Sequence, residues 1–575
     1  MEKRHSKSVI SIMAFLFSGI YLVMCSMQCF DLADEGFFLS ACQQYGSDIS
    51  YAKCGSGYPL SCYLGWLLYS IMPSGGILWM RLWGVVFIIT TALIAIYYLR
   101  KSLPNLLLLT GLLLQIILLG GDSRLFGYNT LTAFFGMSSL LSIIKGVELG
   151  SRAYLAIGGL LLGGAIFVRL PNVAFLAFLF IPLINSFGKD QKRQIVRSLI
   201  QTLWILTGWA MGISIVWIIL HHIGADRQML DFMALLTNQL NDTTNTHNAN
   251  TMIGKLIDNY TLCLQTFTFF VLAIMVASVA FRSRFRLIHI IGAVIAFLII
   301  FKTTYLSSNL FGDSVIALMN GIGIVGSCYY LSGTREQRNM AVGALMLALL
   351  CPFGSDRGFQ TVWNGLWLAL PVGISGIYMM ISKLKIEVSK KAYCVCLASL
   401  AVAVVCQTEI HGFFDPEVRI YKTTPIKSPM SKGIYTASYK AERVNPLLEQ
   451  LPNYVKPNDL LLVYDFSPTI YFLTQTRPYG GISWPCMYYG KRYMDAIEQA
   501  AQQEKHLPVI VVQYFLGTND WWWFMDDYMT RDYCDSFTSP EVNRFILSFL
   551  EKNHYKQVWS NKYYRIFLPP EKLTL

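Results

Sequence analysis

Asp31, Asp34 and Glu35 place three carboxylates within one short stretch, Phe30-Asp31-Leu32-Ala33-Asp34-Glu35-Gly36-Phe37-Phe38. The stretch follows directly on an apolar run, residues 9–27, that is long enough to cross a bilayer. A charge near the bilayer costs roughly 2.5–3.5 kcal/mol on insertion scales, so acids placed there usually have a task. A carboxylate at such a face can take a proton from a hydroxyl as general base. The plainer reading is a solvated acidic cap that ends a helix. Further charges recur between later apolar runs: Asp122 and Arg124 in Gly121-Asp122-Ser123-Arg124, with Tyr128-Asn129 close behind. Arg169 breaks an apolar stretch in Phe167-Val168-Arg169-Leu170-Pro171-Asn172, Lys302 stands near Tyr305, and Asp356-Arg357 sit in Gly354-Ser355-Asp356-Arg357-Gly358. Fixed cations of this kind neutralise an anionic leaving group such as a phosphate. Each has a structural alternative: a snorkelling arginine at a turn for Arg169, a local ion pair for Asp356 and Arg357, ordinary backbone-bonded polar groups for Tyr128 and Asn129. If these acids and cations share one interfacial cavity, they suit a reaction between a lipid phosphate and a hydroxyl.

The elements that must bring them together are membrane spans. Of the 575 residues, 54% are hydrophobic and only 14% charged, and the mean hydropathy is +0.45. Soluble domains carry about 25% charged residues, so this composition predicts a polytopic membrane protein. Apolar runs near 9–29, 79–99, 104–120, 128–145, 153–168, 172–187, 199–221, 260–281, 287–301, 314–331, 340–353, 361–382 and 392–408 predict about thirteen spans. Residues 59–72 are apolar but short, and read as an interfacial or re-entrant helix. The formal net charge of +12 does not imply nucleic acid, because the basic residues are spread over short loops rather than gathered on one face. With a cytoplasmic N-terminus, twenty of them fall in inner segments: Lys3, Arg4, Lys7, Arg100, Lys101, Lys145, Arg152, Lys189, Lys192, Arg193, Arg197, Arg282, Arg284, Arg286, Arg335, Arg338, Lys383, Lys385, Lys390 and Lys391. Seven fall outside, namely Lys53, Arg124, Arg169, Arg227, Lys255, Lys302 and Arg357. This positive-inside bias puts all the candidate residues above at the outer face.

It also puts residues 409–575 outside. There the sequence changes character: 460–464 and 509–514 are short apolar runs bounded by Pro, Asn and Asp, predicting buried strands. Ser539-Pro540-Glu541 opens a helix running to about Lys552, and 555–559 with 562–567 predict a closing strand pair about Ser560-Asn561. The fold class is therefore mainly α: a transmembrane helical bundle over 1–408, a first outer loop at 30–78, a linker over 409–440 and an extracytoplasmic α/β domain over 441–575. An oxidising compartment would permit disulfides Cys42–Cys54 and Cys486–Cys534. His221, His222 and His247 lack metal-ligand spacing, and no nucleotide-binding fingerprint is present. Trp521-Trp522-Trp523-Phe524-Met525-Asp526-Asp527-Tyr528 reads as an interfacial aromatic belt or a sugar-stacking platform, the belt being favoured.

The arrangement resembles the GT-C superfamily of lipid-linked glycosyltransferases, closest to its protein-mannosyltransferase and aminoarabinose-transferase branch. The resemblance lies in Asp34-Glu35-Gly36-Phe37-Phe38 right after the first span, in Arg169 at an outer helix break, in the many spans and in an outer C-terminal domain. The 354–358 loop and the longer tail depart from the best-known members. The resemblance implies inverting transfer of a sugar from a polyprenyl-phosphate donor to a glycan, lipid or protein acceptor at the outer face. In that scheme Asp34 is the base and Glu35 orients it, or the reverse. Arg169, with Arg357 and Lys302, binds the donor phosphate; Asp122, Arg124, Tyr128, Asn129 and Asp356 line the cavity. No cofactor is required, and a divalent metal is neither required nor excluded. The implied setting is a bacterial inner membrane with the C-terminal domain in the periplasm. The competing readings are a polymerase or ligase of diphosphate-linked glycans, and a lipid-linked sugar transporter or flippase.

Overall fold

A bilayer offers the backbone no hydrogen-bond partners, so apolar runs crossing it must satisfy their own N–H and C=O groups as helices. The computed structural model describes residues 16–120, 126–184, 191–241, 249–309, 312–353, 361–384, 387–410, 417–485, 490–516, 523–524, 529 and 540–573. The helices are α1 (Leu16–Ser26), α2 (Asp34–Gln44), α3 (Pro59–Ile71), α4 (Gly76–Leu99), α5 (Asn105–Gly120), α6 (Tyr128–Leu149) and α7 (Arg152–Val168). A 3-10 stretch, Leu170–Phe180, runs into the short α8 (Ile181–Ile184). Then come α9 (Gln191–His222), α10 (Ala225–Asn241), α11 (Ala249–Ala280), α12 (Arg286–Thr303), α13 (Asp313–Tyr329), α14 (Arg335–Leu350), α15 (Trp363–Lys383) and α16 (Glu387–Ile410).

Each of the thirteen predicted runs holds one of these helical segments, but among the described residues eight, those built on α4, α6, α9, α11, α12, α13, α15 and α16, are long and apolar enough to cross a membrane. The helices α1, α5, α7 and the stretch Leu170–Ile184 are apolar but shorter. At 16 and 17 residues, α5 and α7 reach about 24–26 Å, somewhat less than the hydrocarbon core of roughly 30 Å. The 13-residue α3 opens on Pro59 and is too short to span, as expected of residues 59–72.

Polar contacts between helix ends sort into two sets. At one end Arg335 donates to Val147 O and Asn339 to Glu148. At the other, Ser61 donates to Val168 O, Gln228 to Ile49 O, Gln407 to Asn309 O and Arg419 to Gly120 O. The second set gathers the loops that the charge pattern assigns to one face, and it is the end at which Asp34 lies.

Beyond α16 the chain forms a short antiparallel pair, β1 (Thr424–Pro425) and β2 (Tyr435–Thr436), then α17 (Ser438–Gln450), β3 (Leu460–Tyr464), α18 (Thr469–Thr474), β4 (Arg477–Pro478), α19 (Gly490–Gln503) and β5 (Val509–Gln513). A second short pair, β6 (Phe515–Leu516) and β7 (Trp523–Phe524), precedes α20 (Pro540–Lys552), β8 (Lys556–Ser560) and β9 (Tyr564–Leu568). The main sheet runs β4-β3-β5-β9-β8, parallel among the first three and antiparallel thereafter. Val509 to Val512 and Leu461 to Val463 are buried, which is why both strands read as unbroken apolar runs rather than alternating ones. The Asn561 side chain accepts from the backbone N–H groups of Tyr563 and Tyr564, fixing the turn between β8 and β9.

Two expectations meet different geometry. Cys42 and Cys54 are both free, buried thiols. Cys42, on α2, faces Cys62 of α3, whereas Cys54 faces Ser483 and Trp484 of the C-terminal region, so the proposed bridge does not form. Cys486 and Cys534 lie outside the described residues, as do His247 and most of the Trp521–Tyr528 run. The described residues of the stretch 409–440, expected to be a linker, carry anchoring contacts. Arg419 is buried, pairs with Glu409 at 3.0 Å and donates to Gly120 O and Thr408 O.

Candidate active site

The chain leaves α1 against the C-terminal region: Tyr435 N–H donates to Met27 O, and buried Lys440 Nζ donates to Phe30 O. Asp31 follows, 1% exposed. Ala33, which precedes α2, has no side chain able to cap it, and Asp31 does so from upstream. Its two oxygens accept from Ala33 N and Glu35 N, each at 2.7 Å. A carboxylate there faces the positive end of the helix. Burial, and then the neighbouring charge of Asp34, nevertheless push the Asp31 carboxyl up to about 7.

Asp34 and Glu35 occupy the first turn of α2 and point to different surroundings. Glu35 is buried and forms a bidentate pair with Arg81 of α4, at 2.6 and 2.7 Å. Arg81 donates its remaining N–H groups to Ser26 O, Gln28 O and Cys29 O, so all five donors of the guanidinium are used on the exit from α1. This geometry makes Glu35 an anchor that fixes α2 in place. Asp34, beside it, is half-buried. Gly36 lies where α2 meets α18. A Cβ at this position would overlap the backbone N and the hydroxyl of Thr469. Thr469 in turn donates from its hydroxyl to Asp31 O and from its N–H to Leu32 O. The glycine of the Asp-Glu-Gly motif is there for this close approach.

One turn on, Phe37 packs on Tyr58 (6.2 Å between ring centroids) and on Trp484 of the C-terminal region (5.7 Å). Phe38 meets Tyr128 edge-on at 6.0 Å, and Tyr58 stacks on Tyr128 at 4.2 Å. Tyr58 opens α3, whose Ser61 Oγ donates to Val168 O at 2.9 Å, and Arg169 is the next residue. Asn172 holds the break after Arg169 by donating to Thr132 Oγ1 and Ala165 O, both at 2.9 Å. Thr132 lies one turn along α6 from Tyr128, so contacts run from α2 through α3 to the end of α7, on through Asn172 to α6, and back to α2. Arg169 is 7% exposed, and among the described residues no carboxylate or carbonyl is paired with its side chain. Its charge is felt at Cys351, just before the 354–358 loop.

Of the residues singled out from sequence, the structure gathers Asp34, Glu35, Tyr128 and Arg169 at one end of the bundle. Asn129 is tied to Asn364 at the start of α15 by a 3.5 Å hydrogen bond. Lys302 is exposed in the last turn of α12, and no described contact joins it to Asp34 or Arg169. Asp122, Arg124, Asp356 and Arg357 lie outside the described residues. Sequence reasoning missed Arg81, Tyr58 and Trp484. Arg81 carried a usable signal, a lone arginine inside the predicted span 79–99. Trp484 carried none. Among the described residues no group of three or more His, Cys, Asp or Glu could hold a metal ion.

No protein-family model and no curated protein matches the sequence. Among solved structures the chain is similar to the crystal structure of the Archaeoglobus fulgidus oligosaccharyltransferase in complex with Zn and sulfate. The likeness has a TM-score of 0.47 and 12% identity, over 87% of this chain and 68% of that one, and at that level it carries no argument about activity.

Proposed function

We propose that the chain is an inverting membrane glycosyltransferase of the GT-C kind, moving a sugar from a polyprenyl-phosphate donor to a hydroxyl acceptor at the outer face of a bacterial inner membrane. Whether the acceptor hydroxyl belongs to a glycan, a glycolipid or a protein, the chemistry at the site is the same. The observation that carries the reading is a half-buried carboxylate on a rigid mount at the same end of the bundle as a buried arginine whose side chain has no partner among the described residues. Asp34 is held by the Glu35–Arg81 anchor and Arg169 by the Asn172 lock, and the Tyr58–Tyr128 stack lies at the same end of the bundle. The acceptor oxygen attacks the anomeric carbon as the bond from that carbon to the phosphate oxygen breaks. Asp34 takes the hydroxyl proton, and Arg169 receives the charge left on the phosphate. A buried guanidinium without a partner is costly, and an incoming phosphate relieves that cost.

The resemblance of Asp34-Glu35-Gly36-Phe37-Phe38 to the family motif, and the positive-inside pattern, support the donor class and the orientation. The test uses the full chain in lipid nanodiscs with undecaprenyl phosphate as binding probe and undecaprenyl-phosphate sugars as donors. Asp34→Asn should lower transfer by about 10²–10⁴-fold, the usual worth of a positioned base, while leaving undecaprenyl phosphate affinity unchanged. Arg169→Ala should weaken that affinity about tenfold or more, the worth of a charge-assisted pair. Full transfer by the Asn variant removes Asp34 as base, and unchanged probe affinity in the Ala variant removes Arg169 as the phosphate site.

A further inference from the structure

At the end of the bundle away from Asp34, a cleft of about 310 Å³ opens between the first turn of α7 and the first turns of α9. It is independent of the site above: Arg152 starts the helix whose far end is capped by Arg169, about 25 Å away at 1.5 Å per residue. Arg152, Arg193 and Arg197 line it together with Gln201 and Trp204. None of the three arginines has a carboxylate partner among the described residues. Arg152 lies over the Trp204 ring at 5.6 Å, which holds its guanidinium at the cleft wall. Gly150, in the left-handed region at φ +65°, ends α6 where a Cβ would come within 3.0 Å of Arg197 Nη2, so this glycine leaves the Arg197 head room.

Gln201 is the second and independent observation. It is only 8% exposed and lines the cleft, yet its amide has no hydrogen-bond partner among the described residues. An amide that lines a cationic cleft without a protein partner can bond a polar ligand there. Three guanidinium groups select an anion, and their planar forks suit phosphate oxygens. The surroundings choose the source of that phosphate. Val196, Leu199, Ile200 and Leu203 of α9 are exposed apolar residues on and beside the cleft, continuing along a helix long and apolar enough to span. A soluble phosphate has no use for such a surface, whereas a lipid lays its chains along it.

We propose that this cleft binds the phosphate headgroup of an anionic membrane lipid, with preference for a headgroup carrying two negative charges. Arg152, Arg193 and Arg197 hold the phosphate oxygens, Gln201 bonds the innermost polar atom, and the acyl chains run along the exposed face of α9. Native mass spectrometry of the full chain, taken from mixed micelles containing phosphatidic acid, phosphatidylglycerol or phosphatidylcholine, measures the lipid retained. Phosphatidic acid should be retained most and phosphatidylcholine least. Arg152→Gln with Arg197→Gln should lower phosphatidic acid retention about tenfold or more, given charge-assisted bonds at each head. Gln201→Leu, which alters no charge, should lower it severalfold and narrow the gap between phosphatidic acid and phosphatidylglycerol. Both variants change side chains at the rim or floor of an open cleft, and an unchanged thermal midpoint verifies that they fold. Retention of both anionic lipids equal to wild type in the arginine variant would show bulk charge attraction and overturn the site. So would full displacement of the lipid by millimolar inorganic phosphate, which would make the cleft a site for the free anion.

Discussion

Breaking the Glu35–Arg81 pair should unfasten the mount of the candidate base. The side chains are 0% and 1% exposed, and the pair is bidentate. Glu35→Leu leaves Arg81 as a buried cation without a counter-charge, and such single removals destabilise by about 3–5 kcal/mol. Arg81→Leu does the same to Glu35 and also strips donors from Ser26 O, Gln28 O and Cys29 O. Those carbonyls add about 1 kcal/mol each or more, so this variant should lose at least about 6 kcal/mol. The double variant has no buried charge left and pays only for the carbonyls, about 3 kcal/mol plus repacking. The two single losses together therefore exceed the double loss by about 6 kcal/mol, less the cost of repacking. Unfolding of the full chain in detergent mixed micelles, titrated with a denaturing detergent, measures all four corners of the cycle. Losses that add to within about 0.5 kcal/mol would mean the two groups do not act as one unit, and the proposed mount for Asp34 would fall. Arg81→Lys is a sharper probe of geometry, because an ammonium has three N–H groups for five acceptors. It should retain the charge pairing yet recover only part of the stability.

Two further outcomes follow from the same corner of the fold. Gly36→Ala should loosen the seam between α2 and α18, since its methyl meets the Thr469 backbone rather than a movable side-chain tip; a loss of about 1–3 kcal/mol and faster proteolysis between the helical bundle and the C-terminal region are expected, and an unchanged cleavage rate would refute the contact. Asp31 holds its proton more tightly folded, at about 7, than unfolded, near 4. Its contribution is therefore full below about pH 4 and is lost as pH rises to about 7, falling by at most about 4 kcal/mol across that window. Asp31→Asn should flatten that slope while losing one of the two cap bonds, about 1 kcal/mol at low pH. An identical slope in the Asn variant, read from thermal midpoints between pH 4 and 8, would rule Asp31 out as its source.

Much of this protein is written locally. Apolar runs, and the Pro, Asn and Asp that bound β3 and β5, suffice for the apolar helices of the bundle and for those strands, because backbone hydrogen bonding and transfer from water act on neighbours in the chain. The acids after α1 and the break at Arg169 were legible for the same reason: a charge next to an apolar run stands out wherever the rest of the chain goes. What each of those charges does was not. Whether Glu35 faces a substrate or a guanidinium depends on Arg81, and Gly36 has its reason in Thr469, whose hydroxyl bonds Asp31 O across 438 positions of sequence. The same holds for Cys42, drawn to Cys62 rather than Cys54 by how α2 lies on α3, and for Arg419, which ties the stretch after α16 to Gly120 O. Sequence alone determined the apolar helices of the bundle, the helix at 540–552 and the strands β3, β5, β8 and β9. Only the tertiary structure decided which charge is neutralised, because burial and pairing are properties of the neighbours that folding supplies.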